Sequence, residues 1–130
     1  MAKKRLGYRT LIIDGFELNV GLRPEDNDVL TFQIADPVDE FLRASGPHEG
    51  SHAILRNPTG EPIPKAVIEK AAEVAAWYSP FRNEPRVEVH HCRVRNVRKK
   101  PGAAPGEIRT YSFKKCFVRP SLAEAHERPT

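Results

Sequence analysis

The chain has few cysteines and no long apolar run. Cys92 and Cys116 are its two thiols among 130 residues, and no segment approaches the roughly 20 apolar residues that a membrane-spanning helix requires. The basic N-terminus is followed by Leu6 and Gly7 rather than by an apolar stretch, so no signal peptide is predicted. Two thiols without a secretory signal favour a reducing compartment. These absences argue against a disulfide scaffold and predict a cytoplasmic protein with no membrane partner.

The sequence also lacks a convincing catalytic motif. His48-Glu49-Gly50-Ser51-His52 matches the HExxH pattern of zinc peptidases, which binds zinc when both histidines share one face of a helix. Gly46 and Pro47 precede this segment, a glycine interrupts it, and a strand is predicted after it. No CxxC pair, nucleophile–base pair or Gly-rich phosphate loop is recognisable elsewhere. We therefore expect no enzyme, no metal and no cofactor, and keep a zinc hydrolase built on residues 48–52 as an alternative.

Acidic and basic residues are unevenly distributed along the chain, whose formal net charge is +4. Residues 10–50 contain nine carboxylates and two arginines, a formal charge of −7, whereas residues 82–119 contain eleven basic and three acidic residues, a formal charge of +8. A basic face is the electrostatic footprint of a protein that binds a polyanion. The alternative is that the two segments pair with each other in the fold.

Hydrophobic periodicity predicts an α+β fold, in which a mostly antiparallel sheet carries one main helix and one short helix. The main helix is expected over about 64–79 and the short helix over about 28–35, capped by Asp26 or Asn27. We expect residues 1–8 to form a basic extension, 9–119 the domain and 120–130 a polar tail.

Two strand features are predicted in detail. Asp14-Gly15 is the turn of a β-hairpin, since this dipeptide suits a two-residue connection. A long strand is expected over 86–98, with a bulge near His90-His91 because the apolar positions change parity there.

Basic residues at the end of this predicted strand form the candidate binding surface. On a strand, Arg93 and Arg95 would share one face, and Arg98, Lys99 and Lys100 lead into a Pro/Gly loop. Such an array can neutralise phosphates and release counterions. The alternative is a solvated edge strand whose charges oppose aggregation.

Several segments stand in an order that resembles a known domain. They are Asp14-Gly15-Phe16-Glu17 with Val20-Gly21, Asn27-Asp28-Val29-Leu30-Thr31, Asp39-Glu40-Phe41-Leu42-Arg43-Ala44, Gly50-Ser51-His52-Ala53-Ile54-Leu55, Ala71-Ala72 to Ala75-Ala76-Trp77-Tyr78-Ser79, and Val97-Arg98-Lys99-Lys100-Pro101-Gly102-Ala103 with Pro105-Gly106. This ordered set, from about Leu11 to Arg119, resembles the NFACT-R domain. That domain is the RNA-binding module of NFACT proteins, which act in ribosome-associated quality control.

The resemblance implies a non-catalytic module that binds tRNA or ribosomal RNA, with the large ribosomal subunit as a further partner. The residues expected to contact RNA are Arg43, His52, Arg93, Arg95, Arg98, Lys99 and Lys100. The residues expected to build the structural motif are Asp14, Gly15, Asn27, Asp28, Gly50 and Ser51. Two roles remain open for His52, a hydrogen bond to RNA or one that ties down its own loop. Asn27 and Asp28 are expected to cap the short helix.

The chain also departs from the family pattern. Phe41 and Arg43 stand where the family usually has Trp and His, and Leu22 stands where it usually has Arg. A chain of 130 residues has no room for the N-terminal ribosome-engaging domain and coiled coil of full-length NFACT proteins, so a protein partner is expected to supply them. The alternative function is a protein-interaction module whose acidic N-terminal half docks a ribosomal or other basic protein.

Overall fold

The computed structural model describes residues 7–46 and 50–127, and within them seven strands form a mostly antiparallel sheet. These strands are β1 Tyr8–Ile13, β2 Phe16–Gly21, β3 Glu40–Ala44, β4 Ala53–Leu55, β5 Val87–Arg93, β8 Lys114–Val118 and β9 His126–Glu127. Their order across the sheet is β8-β5-β3-β4-β2-β1-β9. A separate ribbon pairs β6 Val97–Arg98 with β7 Arg109–Thr110. The helices are α1 Pro24–Val29 and α2 Lys65–Trp77, with a π-helical turn at Leu30–Ile34 and a 3-10 turn at Val94–Asn96. The predicted α+β fold is confirmed.

The β1–β2 hairpin forms as the sequence predicts. Asp14 has φ 49° and Gly15 has φ 85°, both in the left-handed region that a two-residue hairpin turn requires. The carboxylate of Asp14 accepts a hydrogen bond from the Lys70 ammonium group at 2.8 Å, which joins the turn to α2.

Apolar side chains cover both faces of the sheet. On one face, Leu18, Leu42 and Val89 pack with the buried side of α2, while Phe41 and Cys92 belong to a second cluster on the other face. This second layer explains why the apolar positions of β5 change parity. The β5 register continues without interruption through His90 and His91, so the predicted bulge is wrong.

The short helix begins earlier than predicted. Its first residue is Pro24 rather than Asp28, with Arg23 as the N-cap, and the π-helical turn continues it to Ile34. Proline fits the first helical turn because its missing N–H has no helical partner there and its φ is already helical. The acidic residues that follow it also stabilise a helix N-terminus.

The predicted 86–98 strand is divided in two. β5 ends at Arg93, where the backbone N–H of Val94 donates to Asp39 O at 2.9 Å and that of Arg95 donates to Pro37 O at 3.2 Å. These bonds to the 37–39 turn replace a sheet ladder, so the chain bends into the 3-10 turn before the β6–β7 ribbon.

The last described residues return to the sheet. His126–Glu127 pairs with β1, placing Glu127 opposite Leu11. Neither described helix is long and apolar enough to cross a membrane.

Candidate nucleic-acid interface

The β6–β7 ribbon lies on the Phe41 face of the sheet and presents basic side chains outward. Val97 and Ile108 pack in the second apolar cluster. Arg98 and Arg109 are direct cross-strand partners and are exposed. Because successive strand residues point to opposite sides, the two arginines share the outer face of the ribbon.

Four of the predicted RNA-binding residues are exposed on or beside this ribbon: Arg95, Arg98, Lys99 and Lys100. Of these, Lys99 is paired with a carboxylate, as described below. The Arg98 guanidinium donates to the carbonyls of Arg95 and Val97. Arg109, which the site prediction did not include, joins this set. We call Arg95, Arg98, Lys100 and Arg109 the ribbon cations. None of them forms an ion pair with a carboxylate in the described part of the chain.

Two of the predicted residues pair with carboxylates of the protein. The Arg93 guanidinium donates to Val38 O and lies 3.9 Å from the Glu40 carboxylate. Lys99 lies 2.9 Å from the Asp28 carboxylate and donates to Ala104 O at 2.8 Å. Arg93 ends β5 whereas Arg95 lies in the 3-10 turn, so the expectation that they share one strand face is wrong. Acidic and basic segments therefore pair at these two positions, while the ribbon cations remain available.

Arg43 lies on β3, apart from the ribbon strands in sequence but on the same face of the sheet as Phe41. It is half-buried, and its register partner on β5 is His90. Its positive charge is close enough to His52 to lower the pKa of that histidine.

His52 is a buried connector rather than an exposed contact. Its side chain is among the largest fully buried ones, with 1% of the residue exposed. Nδ1 lies 2.9 Å from the Thr31 hydroxyl and Nε2 lies 3.3 Å from Gly106 O. A carbonyl can only accept, so Nε2 carries the proton and Nδ1 accepts from Thr31. Of the two roles left open by the sequence, this geometry matches the one in which His52 ties down a loop.

The environment of His52 keeps the ring neutral. Burial is the main cause that lowers the pKa of His52 to about 4, and the nearby charge of Arg43 contributes in the same direction, whereas the hydrogen bond to Gly106 favours the protonated form. The ring also meets Phe41 edge-on, with 5.0 Å between centroids. At neutral pH the imidazole is therefore an uncharged bridge between the π-helical turn and the ribbon loop.

Asn27 and Asp28 have long-range partners instead of capping roles. The side-chain oxygen of Asn27 accepts from the backbone N–H of His52 at 3.2 Å. Asp28 accepts from the backbone N–H of Gly106 at 3.1 Å. The capping expectation is wrong because the helix begins at Pro24, which places both residues inside it. Family-like segments that are distant in sequence thus meet around His52.

Gly50 and Ser51 line a polar cleft at the end of the sheet where β4 begins. The cleft has a volume of about 310 Å³ and includes Arg9 and Arg82 in its lining. A Cβ added to Gly50 would lie 2.9 Å from the Cβ of Ser79, so this loop approaches the end of α2 closely.

The described part of the HExxH-like segment, residues 50–52, is not helical. His48 and Glu49 lie outside them, while His52 leads directly into β4. Among the described residues, no group of three or more His, Cys, Asp or Glu side chains could hold a metal ion.

Burial raises the pKa of Cys92 to about 12 and that of Cys116 to about 11, so both thiols are protonated at neutral pH.

A second cleft lies at the opposite, acidic end of the sheet. Its volume is about 560 Å³, and Asp14, Glu17 and Asp36 are among its lining residues. At its floor, Asp39 is buried and accepts from Arg56 Nε at 2.8 Å and from the backbone N–H of Asn57 at 2.7 Å. This cleft contains none of the residues predicted to contact RNA.

The sequence of the chain is similar to part of a longer known protein. Over 106 residues it is 32% identical to the Rqc2 homolog RqcH of Bacillus subtilis (strain 168), an alignment that covers 82% of this chain and 18% of that protein. The chain therefore spans less than a fifth of this relative's length. The similarity supports the ribosome quality-control relationship that the motif order predicts, while assignment to the NFACT-R domain stays a prediction. No family model matches the chain.

A solved structure has a similar fold. The C-terminal part of the fibronectin/fibrinogen-binding protein from Streptococcus suis superposes with a TM-score of 0.84 at 25% identity, covering 95% of this chain and 49% of that chain.

Proposed function

We propose that this chain is a non-catalytic RNA-binding module of ribosome quality control that contacts tRNA or ribosomal RNA through the ribbon cations. The observation that carries the proposal is the outward pairing of Arg98 with Arg109 on β6–β7. Two guanidinium groups on one exposed face can each donate in parallel to phosphate oxygens. Such contacts position an RNA backbone without reading its sequence.

The contacts that attach the β6–β7 ribbon to the rest of the domain support this role. Its tip is held by Asp28 and by His52, while Val97 packs into the second apolar cluster. Cations on a fixed scaffold lose less conformational freedom when they bind than cations on a flexible tail do. In this proposal, His52, Arg93 and Lys99 build the interface without contacting RNA.

The similarity to RqcH supports a place in ribosome quality control, with the cytoplasm as the location. Because the chain corresponds to 18% of that protein, the proposal concerns binding alone.

The direct test is fluorescence anisotropy of labelled tRNA and of a ribosomal RNA fragment, titrated with wild type and with Arg98→Glu/Arg109→Glu. The control is Lys65→Glu/Arg119→Glu, which makes the same change in net charge at two exposed positions, the first residue of α2 and the residue after β8. We expect the ribbon variant to bind at least tenfold more weakly and the control to bind nearly as wild type does. Equal weakening in both variants, with both folded, would reject a localised interface.

The acidic cleft favours a second candidate function, docking of a basic protein. Asp36, whose side chain is 68% exposed, lies at this cleft together with Asp14 and Glu17. Binding of a lysine-rich peptide that is lost in Asp36→Lys and unaffected by Arg98→Glu/Arg109→Glu would favour this candidate.

A further inference from the structure

A second exposed surface lies on β5 and β8, on the face directed away from α2. His90 pairs with Lys115 and Glu88 pairs with Phe117 across these strands, so these side chains share one face. Phe113 directly precedes β8 and stacks on the His90 ring, with 4.5 Å between centroids and an interplanar angle of 25°. We call His90, Phe113, Lys115 and Phe117 the strand platform.

The aromatic rings of the strand platform remain open to solvent. Phe113 is 39% exposed and Phe117 is 50% exposed. Most exposed apolar residues on proteins occur singly and need no explanation, but a cluster of large rings marks an interaction surface. One face of each ring is supported by a neighbouring side chain. His90 supports Phe113, and the Arg86 guanidinium lies 4.5 Å from the centre of the Phe117 ring.

The charges around the rings favour a polyanion as the occupant. Lys115 lies between the two phenylalanines in sequence, Arg86 lies over Phe117, and Arg43 is the β3 neighbour of His90. The acidic residue of this surface, Glu88, accepts a hydrogen bond from His90 at 2.5 Å. A surface that binds an apolar protein segment would not need these neighbouring cations.

We propose that the strand platform stacks unpaired bases of a single-stranded RNA segment, while Lys115 and Arg86 hold the adjoining phosphates. This inference rests on the proposed RNA-binding function and names the part of the RNA that the β5–β8 face would recognise. Residues four apart on a strand are separated by about 13 Å, which an extended chain of two or three nucleotides can span. Aromatic side chains on an open sheet face bind bases with little regard to sequence, because every base offers a π-face.

The test uses fluorescence anisotropy with a labelled single-stranded RNA 12-mer and with the same 12-mer carrying abasic sites at alternate positions. Wild type is compared with Phe113→Leu/Phe117→Leu, which keeps apolar volume but removes both rings. The control is Phe32→Leu, since Phe32 is also 40% exposed but lies on the π-helical turn. Loss of stacking should weaken binding of the intact 12-mer by roughly 5- to 150-fold per ring, and Phe32→Leu should leave it unchanged.

Two comparisons separate this inference from the proposed function. If Phe113→Leu/Phe117→Leu binds the 12-mer as wild type does, while Arg98→Glu/Arg109→Glu loses tRNA, the platform is overturned and RNA binding stands. If wild type binds no RNA, both fail, and capture of a peptide on the platform becomes the remaining explanation. The abasic 12-mer needs no variant, so equal affinity of wild type for intact and abasic RNA also overturns the inference even if the double variant does not fold.

Discussion

The carboxylate of Asp28 lies 2.9 Å from the Lys99 ammonium group and accepts a hydrogen bond from the backbone N–H of Gly106 at 3.1 Å. One side chain of α1 thus holds both ends of the loop that joins β6 to β7. Asp28, which is half-buried, therefore ties the ribbon loop to α1 and supports the position of the exposed cations on the ribbon.

Asp28→Ala should loosen the ribbon loop more than it affects the rest of the fold. It removes an ion pair that is partly exposed and a charged acceptor for one backbone N–H, so we expect a loss of about 1 kcal/mol in the free energy of unfolding. Hydrogen–deuterium exchange should speed up at Gly106 and neighbouring amides. Asp28→Asn, which can still accept from Gly106, should lie between wild type and Asp28→Ala. Unchanged exchange in Asp28→Ala would show that the anchor is unnecessary.

The stability of the protein should fall in mild acid because of His52. Its pKa is about 4 in the folded state, against a reference value of 6.5. The unfolded state therefore binds more protons between these values, so stability is complete above about pH 6.5 and is lost as pH falls towards 4. A difference of this size corresponds to about 3 kcal/mol. Urea unfolding at pH 4.5 to 7.5 measures it.

His52→Gln removes this titration and should reduce the dependence of unfolding free energy on pH, although the variant is less stable at every pH. The matched control is His126→Gln, which removes an exposed imidazole on β9. A wild-type slope that survives in His52→Gln would assign the pH dependence to other groups.

Gly21→Ala should destabilise the contact between β2 and α1. A Cβ at this position would lie 1.9 Å from the side-chain oxygen of Asn27, the atom that accepts from the backbone N–H of His52. Moving Asn27 leaves that buried donor without its partner, so we expect a loss of about 2 kcal/mol. Thermal or urea unfolding checks it. Gly15→Ala is the comparison, because its added Cβ meets nothing within 4 Å and its cost comes from the left-handed backbone alone, about 1 kcal/mol.

Asp39→Ala should be the most damaging of these changes. Asp39 is 1% exposed and accepts hydrogen bonds from Arg56 and from the backbone N–H groups of Asp36 and Asn57. Removing the carboxylate leaves these donors unsatisfied, and breaking such a pair costs about 3 kcal/mol. The control is Asp36→Ala, whose exposed carboxylate lies 3.5 Å from Arg56 and should change stability by less than about 0.5 kcal/mol. Similar losses in both variants would contradict this assignment.

Local signals predicted the elements that are determined locally. The Asp14-Gly15 turn and the apolar face of α2 depend on neighbouring residues, and both occur where the sequence places them. The end of β5 was missed because it depends on bonds from Val94 and Arg95 to the distant 37–39 turn. The start of α1 differs from the prediction because Pro24, which fits the first helical turn, begins the helix four residues earlier.

The candidate site was less predictable, since charge alone does not identify partners. Lys99 and Lys100 are adjacent in sequence and both exposed, yet Lys99 pairs with Asp28 whereas Lys100 pairs with no carboxylate among the described residues. His52 was ambiguous because Thr31 and Gly106, its two partners, come from segments on either side of it. Arg109, Phe113 and Phe117 had a usable signal, since basic and aromatic residues are interspersed over residues 109–117.

The most direct test of the central claim is the salt dependence of tRNA binding by wild type and by Arg98→Glu/Arg109→Glu. If the four ribbon cations neutralise phosphates, log K against log salt concentration should have a slope of about −3 for wild type. The slope should become shallower by about 2 in the variant, since each lost phosphate contact removes about one. A wild-type slope near zero, or a slope that the variant leaves unchanged, would contradict an RNA interface on the β6–β7 ribbon.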